Sequence, residues 1–346
     1  MDATKFERLR RFCAGPGGDA GLGASHSYEG VWLRRRANIA WITDGADVHC
    51  DLSSELGVAS VLWTPTALTV LTDDIELPRL AAEEFSDEWD VRSTKWWDPP
   101  ATAPARFATD WPEDTLAPLR YSLTPLEVER VRALGREAAA VLESVMFEVK
   151  RGDSENEVAG AIIAGLRAQG IVATVVLVAA DERIAYFRHP IPTSKRMEQR
   201  LMAAICAERH GLIVSATRLV HFGTFDAELR RRHDAVCRVD AALHAHTQVG
   251  ASYGDIFRAA QAVYAEAGFP DEWKKHHQGG PMGYAARDFK ASPHETRQVQ
   301  PNQVVGWNPS ITGTKSEDTI LAGGEVVTQT GAWPMNGTRP DILVRR

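Results

Sequence analysis

The spacing of apolar and polar positions divides the chain into two stretches. Up to about residue 115 the apolar residues come in short runs broken by turn formers. Gly30 to Ile42 holds Val31-Trp32-Leu33 and Ile39-Ala40-Trp41-Ile42 on either side of Arg34-Arg35-Arg36, and strand is expected on both sides of the charges. Val58 to Leu71 repeats two apolar runs around Thr64-Pro65-Thr66, which predicts a hairpin or meander. Leu77 to Phe85 has helical spacing. Residues 98–118 carry Pro99, Pro100, Pro104, Pro112 and Pro118; consecutive prolines continue neither a helix nor a central strand, so this stretch is the expected linker.

Longer periods follow. Thr124-Pro125 with Glu127 three residues after the threonine is a helix start. Leu126, Val128, Val131, Leu134, Ala138, Val141, Leu142 and Val145 then keep helical spacing. A second helix is expected from Ser154 to Ala168, stopped by Gly170. Ile171 to Ala180, Leu201 to Ser215 and Leu219 to Phe222 read as strands. Ala227 to Thr247 and Tyr253 to Ala267 read as helices, and short strands return from Val304. Helices, strands, helices, strands in that order predict an α+β domain rather than regular βαβ winding. The expected domains are 1–118 and 119–346.

Composition narrows the classes. Lys plus Arg is 39 and Asp plus Glu is 46, a net charge of −7, with no dominant basic block, which argues against nucleic acid as a partner. No apolar run is long enough for a membrane span, and the charged N-terminus lacks a secretory stretch. The four cysteines (Cys13, Cys50, Cys206, Cys237) are scattered and form no CxxC, which fits reduced thiols in the cytoplasm. Glycines from Gly15 to Gly23 read as a flexible loop. GxxxxGK[ST] and HExxH are absent.

Three stretches carry candidate chemistry. His276-His277-Gln278-Gly279-Gly280-Pro281-Met282-Gly283-Tyr284 places adjacent imidazoles beside bare backbone; it is either a ligand-facing loop or a structural turn. Arg188-His189-Pro190 after a predicted strand offers an acid–base histidine or a surface one. Lys315-Ser316-Glu317-Asp318-Thr319 offers paired acids or an exposed turn.

Together these stretches resemble the creatinase/prolidase/aminopeptidase P family, M24, over nearly the whole chain. Arg36-Ala37-Asn38-Ile39-Ala40-Trp41-Ile42-Thr43 resembles the creatinase-type α/β N-terminal domain. The remainder follows the pita-bread domain's motifs in order: His189-Pro190, Thr217-Arg218 before Gly223, the glycine-rich turn, Trp307-Asn308-Pro309 and Glu317-Asp318-Thr319. The resemblance implies two divalent metals held by two Asp, one His and two Glu. Carried over position by position, those ligands fall near Ala204 and on Ser215, Gly280, Asn308 and Glu317. One anionic ligand does not hold such a centre, so no catalytic metal and no cofactor is expected.

Creatinase, which cleaves a C–N bond without metal, is the informative relative. By that resemblance His189, Glu317 and His277 are the expected catalytic residues of a metal-independent hydrolase acting on a small amino-acid-like substrate. His276, Asn308, Arg287, Ser215 and Asp318 are expected to line the substrate site. The family's homodimers further imply that Trp41 and His49, with Asp47 and Glu55, reach across to the partner's cleft. A lyase or isomerase in the same pocket, or a catalytically dead module that binds peptides or partners, are the alternatives.

Overall fold

The computed structural model describes residues 3–15, 27–86, 89–99, 101–224 and 226–346. The glycine-rich segment lies, from Pro16 on, outside the described residues. The chain forms two compact units, Met1–Arg120 and Tyr121–Arg346.

The first unit is built on a five-stranded sheet. After helix α1 (Ala3–Ala14) come β1 (Gly30–Arg35), helix α2 (Arg36–Ile42), β2 (Leu56–Thr64), β3 (Ala67–Asp73), a short helix α3 (Leu77–Arg79) continued by a wider turn over Leu80–Glu84, β4 (Asp90–Thr94) and β5 (Phe107–Thr109). The spatial order is β4-β3-β2-β1-β5. The expected hairpin is present, with β2 and β3 antiparallel and Val61 opposite Val70. Two expectations are corrected. Ile39 to Ile42 is helix, not strand: the Asp110 carboxylate accepts from the backbone N–H groups of Arg34 and Arg35 at 2.8 and 2.9 Å and from the Asn38 side chain at 3.0 Å, and the chain turns into α2 there. A short fully apolar run carries no period that separates helix from strand. The proline-rich stretch is no free connector either, because Phe107–Thr109 pairs in parallel with β1.

The second unit repeats one plan: two helices, then antiparallel strands. The first half is α4 (Pro125–Glu148), α5 (Glu155–Ala168), β6 (Val172–Ala180), a one-turn helix α6 (Arg183–Tyr186), β7 (Arg200–Arg209) and β8 (Leu212–Phe222). The second is α7 (Ala227–His246), α8 (Tyr253–Glu266), β9 (Gly279–Met282), β10 (Val304–Trp307), β11 (Ser310–Ile311), β12 (Thr314–Lys315), β13 (Asp318–Leu321) and β14 (Glu325–Val326). A small hairpin, β15 (Met335–Asn336) with β16 (Arg339–Pro340), and β17 (Ile342–Arg345) close the chain. The sheets run β17-β8-β7-β6 and β14-β13-β10-β9.

Local chemistry explains the element ends. Thr124 and Glu127 form a reciprocal capping box on α4, as Ser154 and Glu157 do on α5. The β7–β8 turn is His210-Gly211, both with positive φ (55° and 76°), as a two-residue hairpin loop of this twist requires. The break therefore lies earlier than the sequence pattern suggested, and Ser215 and Thr217 sit inside one long strand. Among the described residues, no helix is long and apolar enough to cross a membrane.

The two sheets meet where β8 touches the β13 segment. Thr217 N donates to the Glu317 carbonyl at 3.1 Å, and Ser215 N donates to Thr319 Oγ1 at 2.7 Å. Behind this contact runs a buried ionic chain. Arg218 joins Glu143 at 2.8 Å and Asp318 at 3.1 Å; Arg339 joins Asp318 and, at 2.8 Å, Asp240; Asp240 lies 3.2 Å from His244. Arg218, Arg339, Asp240 and Asp318 are all at most 1% exposed. Burial works to raise the Asp240 carboxyl, but Arg339 and His244 outweigh it and hold the group at about 2.

Removing one member leaves its partners buried and charged, which costs about 3–5 kcal/mol. Asp318→Asn is accordingly expected to lower unfolding stability by that order in a urea titration; a loss under about 1 kcal/mol contradicts this reading of the chain. Because the Asp240 pKa is depressed on folding, its contribution is present above the ordinary carboxyl value and is lost as pH falls toward 2, and Asp240→Asn should flatten that part of the acid-unfolding profile.

Candidate functional site

Strand alternation sorts the segment from Lys315 to Thr319 into two faces. Ser316 and Asp318 point to the ionic chain: Ser316 Oγ donates to Asp240 at 2.5 Å, and both Asp318 oxygens are taken by Arg218, Arg339 and Thr328. Lys315, Glu317 and Thr319 point the other way, toward Thr217, Ser215 and Arg287. Asp318 is thus corrected from substrate contact to buried scaffold, since no oxygen of a fully enclosed, three-partner carboxylate remains for a ligand.

Glu317 is 4% exposed and fully engaged. Thr217 Oγ1 and Lys315 Nζ donate to Oε2 at 2.5 and 2.6 Å, and Arg287 Nη2 lies 3.5 Å from Oε1. Burial pushes its pKa up, but the Lys315 and Arg287 charges prevail and hold the carboxyl below the usual range. Lys315 was not singled out in the sequence, although two residues' separation on extended chain puts it on the face of Glu317.

Ser215 is fully buried, with its Oγ 3.9 Å from Met282 Sδ; the same sulfur lies 3.7 Å from Thr319 Oγ1 and 3.6 Å from Arg287 Nη1. A thioether therefore fills the space beside Ser215. Cys206, opposite Ser215 in the β7–β8 register, also faces these charges. Burial, helped by Glu317, pushes its thiol up to about 11, so it stays protonated and is no nucleophile at neutral pH.

Three imidazoles gather beside this cluster. His276 Nε2 lies 3.2 Å from His189 Nε2, and ring centroids are 4.9 Å apart for His189–His276, 5.6 Å for His189–His277 and 4.7 Å for His276–His277. Both adjacent histidines therefore join the cluster. His189 does not sit at a strand end as expected. It follows α6, in a loop that Arg188 fastens to Glu272 at 3.1 Å and to Thr312 at 2.9 Å. His189 is exposed, His277 half-buried and His276 buried. Burial and the Lys315 charge lower the His276 pKa to about 2; burial and Arg287 lower His277 to about 4; burial and Lys315 lower His189 by less, against the pull of Glu317. All three are neutral at pH 7.

Three polar atoms near the cluster have no hydrogen-bond partner: His277 Nδ1, Asn308 Oδ1 and Arg287 Nε. Asn308 is held by its backbone, which donates to the Gln278 carbonyl at 3.0 Å. In the first unit, Trp41 is 1% exposed, so it has no surface to offer a partner's cleft and is corrected to core. His49 is half-exposed and pairs with Asp47 on a loop.

Comparison with known proteins fits this architecture. The model of metallopeptidase family M24 matches residues 129–327, more than half of the chain. An uncharacterized peptidase of Staphylococcus saprophyticus is 23% identical over 235 residues, covering 65% of each chain. Another from Staphylococcus epidermidis is 24% identical over 152 residues, 41% of this chain and 43% of that one. The chain thus spans less than two thirds of the length of the curated relatives it matches. Among solved structures, a prolidase from Thermococcus sibiricus superposes with a TM-score of 0.77 at 14% identity over 100% of both chains, and a Xaa-Pro dipeptidase from Bacillus anthracis with 0.74 at 15% over 99% of both. The N-terminal domain of a FACT complex subunit from chickpea (Cicer arietinum) gives 0.69 at 11% identity, covering 95% of this chain and 97% of that one. These likenesses establish the two-domain pita-bread fold.

A metallopeptidase family implies a metal centre, and the donor set here does not fit one of carboxylate type. Ala204, Ser215 and Gly280 offer no charged donor, Asn308 is neutral, and Glu317 already carries an ammonium. Hard divalent ions at such a site need several anionic oxygens. Nor is there room for the missing histidine: a Cβ at Gly280 would lie 2.4 Å from the Phe289 carbonyl oxygen. No step is therefore derived through a dinuclear centre.

Gly280→Ala tests that packing. The added methyl must displace backbone, which costs about 1–3 kcal/mol or more. A drop of that order in urea-unfolding stability is expected, and an unchanged midpoint shows that the position has space for a side chain after all.

Proposed function

Because the chain belongs to metallopeptidase family M24, we propose that it hydrolyses a C–N bond, amide or amidine-like, of a small amino-acid-like molecule without the family's dinuclear centre. Family and fold support amide-bond hydrolysis as the general class. The observation that carries the finer reading is Glu317: its carboxylate is neutralised by Lys315 at 2.6 Å and by Arg287, fixed cations of the chain itself, directly beside a cluster of neutral imidazoles.

The roles follow from exposure and charge. His189 is the accessible imidazole and takes a proton from water as the water oxygen adds to the substrate's carbon. Glu317, whose charge favours the protonated form of His189, steadies the imidazolium. The imidazolium then gives the proton to the departing nitrogen as the C–N bond breaks, so an amide and water become an acid and an amine, and an amidine-like group and water become an amide-type product and an amine. Arg287, with 14% of its side chain exposed, holds a substrate carboxylate or the developing negative charge. His277 and the unpartnered Asn308 Oδ1 hydrogen-bond the substrate's polar groups. Ser215 lines the wall beneath them rather than touching the ligand. A cytoplasmic homodimer, with the His49 loop of one subunit covering the partner's cleft, completes the reading.

His189→Ala is expected to lower kcat/KM by about 10²–10⁴-fold, the usual contribution of a positioned general base. Chelator treatment should leave turnover intact, and reaction in ¹⁸O-water should place one labelled oxygen in the product. Activity lost to EDTA and restored by manganese or cobalt returns the chain to ordinary metallopeptidase chemistry. Product without label makes the reaction a lyase or isomerase step.

A further inference from the structure

The imidazole cluster carries a second property that acid–base work alone does not require. One nitrogen from each of His189, His276 and His277 lies within 4.8 Å of the other two. Among the described residues this is the one group of three or more His, Cys, Asp or Glu side chains so arranged. The 3.2 Å separation of His189 Nε2 and His276 Nε2 is close to the roughly 3.3 Å between two nitrogens bound at about 2.0–2.1 Å to one tetrahedral ion. His276 is also oriented as a ligand is. Its other ring nitrogen is 3.3 Å from Ser310 Oγ, which aims Nε2 at the cluster. The loop of His189 is fixed from outside by Arg188 on Glu272 and Thr312, so the third donor does not rest on a free segment.

We propose that His189, His276 and His277 form a mononuclear site for a zinc-class transition-metal ion, separate from the carboxylate positions of the family's centre. Imidazole donors alone favour zinc, cobalt, nickel or copper over magnesium, calcium or manganese. Glu317 is not one of the group: Lys315 and Thr217 hold its Oε2, and Arg287 faces its Oε1 at 3.5 Å. The consequence for turnover rests on the reading in the preceding section: an ion on these nitrogens occupies the lone pairs that accept protons, so it inhibits reversibly. The cations Lys315 and Arg287 next to the cluster oppose a second positive charge, which sets the affinity below that of a structural zinc site.

The test uses the full chain, without a histidine tag and stripped with a chelator. Cobalt(II) is titrated and its visible spectrum followed; zinc(II) is titrated by calorimetry. One saturating equivalent is expected, with the intense visible bands of a low-coordinate cobalt ion. His189→Ala, at an exposed position where folding is not at stake, and His276→Gln should each weaken binding at least tenfold. Zinc should abolish turnover and EDTA restore it. Magnesium and calcium should not compete. Absence of saturable binding overturns the site, as does binding unchanged in both variants. The cobalt spectrum is independent of turnover, so the two readings fail separately. A stripped enzyme that is active but binds no ion removes only the metal site. Binding with the expected spectrum in a stripped enzyme that is active only with zinc keeps the site and removes the metal-free mechanism.

Discussion

A carboxylate buried at the meeting of two sheets must be neutralised where it stands, and Glu317 is the residue around which the second unit is arranged. Leaving it unpaired at 4% exposure costs several kcal/mol, since an ion removed from water loses far more solvation than packing returns. In a metallopeptidase of this fold, metal ions answer that demand. Here Lys315 and Arg287 do, with a hydroxyl from Thr217. The exchange makes the charge balance covalent: cations that belong to the chain neither dissociate nor compete with chelators. The positions where further carboxylates are expected carry Ala204, Ser215 and Asn308.

The same strand solves a second problem by alternation. Glu317 faces the site, and Asp318 faces the Arg218 and Arg339 guanidiniums. Two adjacent acids thereby serve opposite sides of one sheet without repelling each other across a shared cavity. The ionic chain fixes the backbone of the segment, and a fixed backbone is what lets a short Lys315–Glu317 contact persist. Gly306 reports how tightly the wall is closed on the site side: a Cβ there would lie 2.6 Å from Met282 Sδ and 3.0 Å from both Arg287 Nη1 and Ser215 Oγ. Sulfur, guanidinium and hydroxyl close the wall on that side.

Much of this was legible in the sequence, and the failures have physical causes. The capping box at Thr124 and both long helices were readable, because hydroxyl, proline and glutamate at fixed offsets act locally and the apolar spacing continues the pattern. The hairpin at Val58–Leu71 was readable from its turn residues. Helix α2 was not, because a carboxylate 75 residues beyond Arg35, that of Asp110, redirects the backbone. The strand break at His210-Gly211 was missed because the surrounding apolar run is continuous, and only the backbone conformation marks the turn. In the site, His189, His276, His277, Arg287, Asn308 and Glu317 came from motif order. Lys315 and Met282 did not, since each matters for what it touches across the fold. Trp41 and Asp318 were misassigned for the converse reason: the motif holds them, and burial takes them out of contact with any ligand.

Charge connects these observations to the chemistry. Neutral imidazoles are unusual company for two cations and a single carboxylate unless something keeps them neutral. Burial together with Lys315 and Arg287 does so, and these are the same groups that satisfy Glu317. One arrangement thus stabilises the buried carboxylate and holds the neighbouring histidines as lone-pair donors. A lone pair at neutral pH accepts either a proton or a soft metal ion, and nothing in the local geometry favours one acceptor over the other. On the proposed reading, proton transfer and metal binding compete for the same lone pairs, and Lys315 and Arg287 oppose both, since each brings positive charge to the cluster.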